Sequence, residues 1–227
     1  MIVNFYQPYE NGDIRTSRKL DETTLDIAEN GANKSTIFSN YARYWHGYQV
    51  ILRPLLNFFN YNQIRVINYI ALFVLFTITI ILLYKRLNIL YALSFAATLI
   101  ISNIMIVPLA IQFSTCFYIA LFGMIIILNC NRITDSKRLT IIFFTIGAFT
   151  SYMDFLTTPI LTLGFPLLVL VAINKEKERL RTLFTQSFVW FAGYASIWAS
   201  KWLIGWILTG ENIIDSAKAC ALQRVGN

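Results

Sequence analysis

The sequence has few of the residues that build metal sites and disulfides. It contains one histidine, His46, and three cysteines that are far apart in the chain, Cys116, Cys130 and Cys220. A zinc cluster built from histidines is therefore excluded, and the cysteines give neither a disulfide framework nor the spacing of a metal site. The sequence also lacks a glycine-rich phosphate loop and a serine nucleophile elbow.

Charge is scarce as well. Only 14% of the residues are charged and 56% are hydrophobic, so the chain is too apolar for an ordinary soluble domain. The net charge of +7 is compatible with nucleic-acid binding, but nine of the 19 lysines and arginines form three short clusters between apolar runs. That pattern is typical of cytoplasmic loops. The composition thus predicts an integral membrane protein without a nucleic-acid partner.

Apolar runs long enough to cross a bilayer, uncharged except for Asp154 and Lys201, alternate with these basic clusters. A helix needs about 20 apolar residues to cross a hydrocarbon core of about 30 Å. Two of the runs are longer than one span requires and have basic residues at both ends, so we expect each to cross twice. The predicted spans are residues 66–84, 87–107, 109 or later to 128, two short spans within 139–173, and 184–209, with reversals at 108–114 and 154–159.

The basic clusters also predict the orientation of the helices. All nine of these residues lie in loops on one side, and the two short loops on the other side contain no lysine or arginine. Because basic loops stay in the cytoplasm, we expect an all-α, polytopic integral membrane protein with about six transmembrane helices, in a bacterial cytoplasmic membrane. The predicted domains are an extracytoplasmic segment with juxtamembrane helices (1–62), a transmembrane domain (63–209) and an extracytoplasmic tail (210–227).

The N-terminal segment begins without a signal peptide, because residues 1–11 contain no basic region followed by an apolar core. A long charged segment is difficult to translocate unaided. We therefore expect that a further transmembrane helix precedes it and that the chain is part of a larger protein. Translocation of the N-terminal tail by the first span is the alternative.

Residues 41–61 predict an amphipathic helix directly before the first span. Their aromatic and leucine side chains recur every three or four residues, and Arg53 falls on another face. Gly47 and Pro54 are expected to divide or kink this helix. A helix rich in tyrosine and tryptophan beside a span belongs in the headgroup layer, and a simple anchor without chemistry is one interpretation.

Several polar residues are predicted to share the outer face. Asp154 lies at the end of the fourth span, where it is either a helix cap or a functional acid. Lys201 lies within the last span, next to an aromatic stripe that includes Trp198 and Trp202. These aromatic residues either face lipid or shape an apolar slot in which Lys201 binds an anionic headgroup. On the other side of this helix, small residues are expected to permit close helix packing, namely Ala192, Ser196 and Ser200.

The stretch Tyr-Trp-His-Gly-Tyr through Leu-Arg-Pro-Leu-Leu, then Asn-Gln-Ile-Arg-Val-Ile-Asn, resembles the juxtamembrane region of the glycosyltransferase C superfamily. These multispan enzymes use lipid-phosphate-linked sugars, and the stretch corresponds to the chain that leads into their second helix. The resemblance covers about 30 residues by pattern and about the first 130 by topology. His46-Gly47-Tyr48 stands where some branches have His-Pro-Pro, and the first helix of the family is absent.

The resemblance implies a sugar transfer at the outer face from a polyprenyl-phosphate donor in the membrane. An acid of the outer segment, Asp13, Asp21 or Glu22, would act as general base or position a divalent cation. Lys201 or Arg53 would neutralise the phosphate leaving group, and His46 becomes a further substrate-binding candidate because of its position.

Two other classes stay open on the sequence alone. The first is a non-enzymatic membrane protein, such as a transporter, a lipid flippase or an assembly subunit. The outward clustering of polar groups and the lack of an internal repeat favour an enzyme over a carrier. The second is an inactive fragment. The sequence does not identify the sugar donor, the acceptor or a soluble protein partner.

Overall fold

The computed structural model of the chain describes residues 3–6, 9–10, 13–14, 38–41, 45–130, 136–153, 158–173 and 179–210. The chain divides into two compact units. One comprises residues 45–200, and the other comprises residues 1–44 with 201–227.

Short strands, all antiparallel, are present in the N-terminal segment. Strand β1 (Val3–Tyr6) pairs with β4 (Phe38–Tyr41), and β2 (Tyr9–Glu10) pairs with β3 (Asp13–Ile14). The predicted helix at residues 41–61 is therefore wrong at its beginning, because Tyr41 belongs to β4 and pairs with Val3.

Two consecutive helices follow the first residues of the larger unit. Helix α1 (Tyr48–Phe58) contains Pro54, and two residues separate it from helix α2 (Tyr61–Arg86). The Asn60 side chain accepts from the Gln63 N–H, and the Gln63 side chain accepts from the Asn60 N–H, both at 2.9 Å. This reciprocal capping box explains why a new helix begins at Tyr61.

The next predicted span is shorter than expected. Helix α3 (Ile89–Ile101) has 13 residues, so it extends about 20 Å. Asn103 then adopts a left-handed conformation with φ 50°, and a 3₁₀ helix, Ile104–Leu109, leads to helix α4 (Ile111–Asn129). The prediction that residues 87–107 form one continuous span is therefore wrong, because the turn at Asn103 ends the helix early.

Three further helices follow α4 in the chain. Helix α5 (Ser136–Met153), helix α6 (Pro159–Ile173) and helix α7 (Arg179–Thr209) coincide with the predicted fourth, fifth and sixth spans to within a few residues. The start of α6 at Pro159 fits the preference of proline for the first position of a helix, where its missing N–H has no partner to lose.

Helix α4 lies at the centre of the core, where it packs against α2, α5 and α6. Its Leu121 and Ile127 are fully buried, and Phe117 makes edge contacts with Phe76 of α2 and Phe165 of α6 at ring-centroid distances of 6.2 and 6.5 Å. Such edge-to-face pairs stabilise beyond their buried area by about 0.5–1.5 kcal/mol each. The helical fold is thus confirmed for the larger unit.

Among the described residues, helix α2 alone is both long and apolar enough to cross a membrane. Its most apolar window has a mean hydropathy of 2.6, and 28% of that window is buried. Helices α3 and α6 and residues 113–129 of α4 are apolar but shorter. Length and composition make α2 a candidate membrane span, whereas crossing by all six helices stays a prediction.

Candidate functional site

An apolar groove of about 480 Å³ lies between α1, α2, α4 and α5, entirely within the larger unit. Its volume is in the range of about 300–1,000 Å³ that small-molecule sites occupy. Its described lining is formed by Tyr48, Ile51, Leu52, Leu55, Ile64, Ile67, Asn68, Ile111, Thr115, Tyr118, Ile119, Phe122, Gly123, Ile126, Thr145, Ile146, Phe149 and Met153.

The groove follows one face of α4. The lining residues of α4 recur at intervals of three and four from Ile111 to Ile126, which places them on a single side of the helix. At 1.5 Å per residue this face extends about 22 Å. The groove is therefore long and narrow, a shape that fits an extended chain better than a compact polar molecule.

Helix α1 covers one end of the groove. Tyr48, Ile51, Leu52 and Leu55 point to the groove from one side of α1, while Arg53 is exposed on another. The amphipathic helix predicted for this region is confirmed for α1. Helix α1 contacts both α2 and α4, and Ile64 and Ile111, near the starts of these helices, line the groove together with it. We call this end of the groove, beside α1, its mouth.

The start of α1 is fastened to two other helices. The Trp45 Nε1–H donates to the carbonyl oxygen of Ile197 in α7 at 2.8 Å, and the Gly47 N–H donates to the carbonyl oxygen of Tyr152 in α5 at 2.8 Å. Carbonyl groups in the last turn of a helix lack partners within the helix, so Gly47 caps the end of α5. A side chain at position 47 would overlap Tyr152, which explains why the residue is glycine.

A polar cluster is buried in the wall of the groove near its mouth. The Asn68 side chain donates to the Pro108 carbonyl oxygen at 2.9 Å and to Ser114 Oγ at 2.7 Å. Its Oδ1 accepts from the Tyr118 hydroxyl at 2.9 Å. Asn68 is thus satisfied on both sides of its amide, and the cluster holds α2, α4 and the 3₁₀ helix together.

Two of the predicted substrate-binding residues lie on or beside α1. His46 is 4% exposed and has a left-handed backbone with φ 49°, so its side chain is part of the packed interior. Left-handed residues other than glycine are uncommon and often occur where the surrounding structure fixes them. Arg53 is exposed on α1 and does not line the groove.

The other predicted substrate-binding residues belong to α7. Lys201 is 3% exposed, Trp198 is 38% exposed and Trp202 is partly buried. The role of Lys201 in binding an anionic headgroup stays a prediction. The predicted aromatic stripe begins with Trp190 stacked on Tyr194, with ring centroids 5.3 Å apart.

The predicted catalytic acids are described only in part. Asp13 lies in β3, where its backbone pairs with Glu10, and Asp21, Glu22 and Asp154 lie outside the described residues. Among the residues that the structure describes, no group of three or more His, Cys, Asp or Glu side chains is arranged to hold a metal ion. The divalent cation implied by the resemblance stays a prediction.

Asn68, Ser114 and Tyr118 were not identified from the sequence. Asn68 is the one amide side chain in the uncharged run 66–84, and an isolated amide in a predicted span is a signal for hydrogen bonding between helices. Ser114 and Tyr118 gave no comparable signal, because their roles depend on which face of α4 meets α2.

Comparison of the chain with protein-family models, with characterised proteins and with solved structures finds no match.

Proposed function

We propose that the protein is a multispan membrane protein that binds a lipid by its hydrocarbon chain in the groove of α1, α2, α4 and α5. In this proposal helices α2 to α7 cross the membrane with the basic clusters on the cytoplasmic side, and the mouth of the groove faces outward. The observation that carries the proposal is the long apolar groove under an amphipathic helix.

The exposure of the groove lining supports a lipid rather than a water-soluble ligand. Ile51, Phe122 and Phe149 are between 51% and 55% exposed although they line a concave site. Apolar patches of this kind are unusual on proteins surrounded by water and are typical of surfaces that meet other apolar molecules. A groove that is open along its side admits a chain directly from the bilayer.

Packing contacts, rather than the hydrophobic effect, would hold a lipid chain in the groove. Lipid tails are as apolar as leucine, so transfer of a chain from bilayer to groove gains little from the hydrophobic effect. Close packing against Ile119 and Ile146 supplies dispersion contacts instead. Affinity for one lipid over another then depends mainly on contacts with its headgroup at the mouth.

The reaction that such binding would serve is sugar transfer from a polyprenyl-phosphate donor, as the resemblance to the glycosyltransferase C superfamily implies. An acid at Asp13, Asp21, Glu22 or Asp154 would deprotonate the acceptor hydroxyl, and Arg53 or Lys201 would stabilise the departing phosphate. The position of α1 at the mouth supports this arrangement, because α1 contains Arg53.

A non-enzymatic lipid carrier is the second candidate. Among the described residues that line the groove there is no aspartate, glutamate, lysine, arginine or histidine. A groove without such groups binds and guides a chain without reacting with it. Reconstituted vesicles distinguish the two functions, because an enzyme releases polyprenyl phosphate from a sugar donor whereas a carrier moves the intact donor between leaflets.

Lipid binding itself is tested with a polyprenyl phosphate that carries a photoreactive diazirine in its chain. We expect adducts on the groove faces of α4 and α5 after irradiation in vesicles, and an approximately tenfold loss in Ile119→Trp, because an indole fills the groove. Ile141→Trp is the matched control, since Ile141 is 66% exposed on α5 outside the groove. Adducts spread evenly over exposed residues such as Ile100 and Ile101 of α3 would contradict the proposal.

A further inference from the structure

We infer that Arg65 binds the phosphate group of the lipid whose chain occupies the groove. This inference rests on the proposed function and adds to it the residue that reads the headgroup. Arg65 is the fifth residue of α2, in the turn between Ile64 and Asn68, and both of these neighbours line the groove.

Arg65 lies beside the groove and outside its described lining, close to the end of α2 that is nearest α1. Successive residues are rotated by about 100°, so Arg65 lies about 60° from Asn68 around the axis of α2. Helical side chains tilt towards the N-terminus of their helix, which for α2 is the end covered by α1. The guanidinium carbon of Arg65 lies 5.8 Å from the centre of the Tyr61 ring, one turn nearer that end.

The Arg65 side chain is half-buried, and its Nε atom is buried without a hydrogen-bond partner among the described residues. A buried donor without an acceptor is costly, so such a group indicates that an acceptor is missing. The Tyr61 ring holds the guanidinium in place through a cation–π contact. The Nε–H of Arg65 is therefore placed to donate to a phosphate oxygen at this end of α2.

The sequence around Arg65 offers few carboxylates to satisfy it. No aspartate or glutamate occurs between Glu29 and Asp135, a stretch that contains both Arg53 and Arg65. Under the proposed topology, both arginines also lie on the outer side, against the usual preference of basic residues for the cytoplasm. A planar guanidinium that donates two parallel hydrogen bonds is well suited to phosphate oxygens.

The test compares two photoreactive lipids with the same diazirine-bearing polyprenyl chain, one ending in phosphate and the other in a neutral hydroxyl. In the wild-type protein we expect preferential labelling by the phosphate lipid. In Arg65→Gln we expect labelling by the phosphate lipid to fall about tenfold while labelling by the alcohol is retained. Arg65→Lys, which keeps the charge but loses the planar fork, is expected to fall between the two.

Lys85→Gln is the matched control, since Lys85 is exposed at the other end of α2, about 30 Å from Arg65 along the helix, and its loss should change the preference about twofold or less. Equal loss of both lipids in Arg65→Gln would show a purely structural role and overturn the inference while leaving lipid binding intact. Labelling by neither lipid in the wild type would overturn both the inference and the proposed function. Displacement of the phosphate lipid by low millimolar inorganic phosphate would assign Arg65 to free phosphate and overturn the lipid assignment.

Discussion

Helix α5 packs in two different ways on two of its faces. On one face Thr145, Ile146 and Phe149 line the groove, which stays open. On another face Gly147 touches the main chain of α7, and a methyl group there would overlap the carbonyl oxygen of Trp190. One face of α5 therefore packs in backbone contact with α7, and we call this contact the α5–α7 seam. Another face of the same helix borders the open groove.

Each of the two helices contributes a glycine to the α5–α7 seam. Gly193 of α7 faces α5 in the same way, because a methyl group on it would overlap the carbonyl oxygen of Phe144. Paired glycines let two helix backbones approach closely, and membrane helices use such contacts in place of a hydrophobic driving force. A change of side-chain size should therefore be tolerated less at the α5–α7 seam than at the groove.

The largest effect on stability is expected from adding a methyl group at the α5–α7 seam. Gly147→Ala should lower the free energy of unfolding in mixed detergent micelles by about 3 kcal/mol, because a main-chain carbonyl cannot move aside as a side chain can. Gly164→Ala on α6 is the matched control, since nothing lies within 4 Å of a methyl group there. The control should be neutral or stabilising by up to about 1 kcal/mol. Equal stability of the two variants would remove the distinction between seam and groove.

The next effect concerns the polar cluster that borders the groove. Asn68→Leu removes the donor to Pro108 and Ser114, and we expect a loss of about 1–2 kcal/mol in the same unfolding measurement. Asn129→Leu is the control, because Asn129 is exposed and, among the described residues, its side chain donates to the Ile125 carbonyl oxygen within its own helix. If both substitutions cost the same, the cluster does not hold the three elements together.

The fastening of α1 is expected to contribute less. Trp45→Phe keeps an aromatic ring near Tyr152, whose ring centroid lies 5.6 Å away, but removes the hydrogen bond to Ile197. We expect a loss of about 1 kcal/mol together with faster proteolysis of residues 45–60. Trp206→Phe, at a residue that is 58% exposed, should change neither quantity. Unchanged proteolysis in Trp45→Phe would mean that other contacts hold α1.

The helices could be predicted from the sequence because uncharged runs and basic clusters are local patterns. Their breaks could not be predicted as well. The early end of α3 depends on the left-handed turn at Asn103, and the late start of α1 reflects the pairing of Tyr41 with Val3, which are distant in sequence. Long-range pairing overrides a helical pattern when it satisfies the backbone better.

The groove was not predicted from the sequence, and none of the predicted site residues is in its described lining. Sequence periodicity identified the face of α1 that covers the groove, but the groove itself depends on how α2, α4 and α5 are spaced. The small-residue stripe was misjudged for the same reason. Ser196 is exposed, and the close contact with α5 is made by Gly193 instead. Which face of α7 meets α5 depends on the packing of the two helices and cannot be deduced from the sequence of either helix alone.

The smallest effect is expected from a larger side chain at a position of α4 that lines the groove. Ile119 and Leu121 lie two residues apart on α4, but Ile119 lines the groove whereas Leu121 is fully buried in the core. Ile119→Phe should change the free energy of unfolding by less than about 0.5 kcal/mol, because the added atoms enter open space. Leu121→Phe should cost about 1–3 kcal/mol, since a closely packed interior has no room for a ring. A cost at position 119 equal to that at position 121 would mean that the groove is filled by protein in the folded state and is not free to receive a chain.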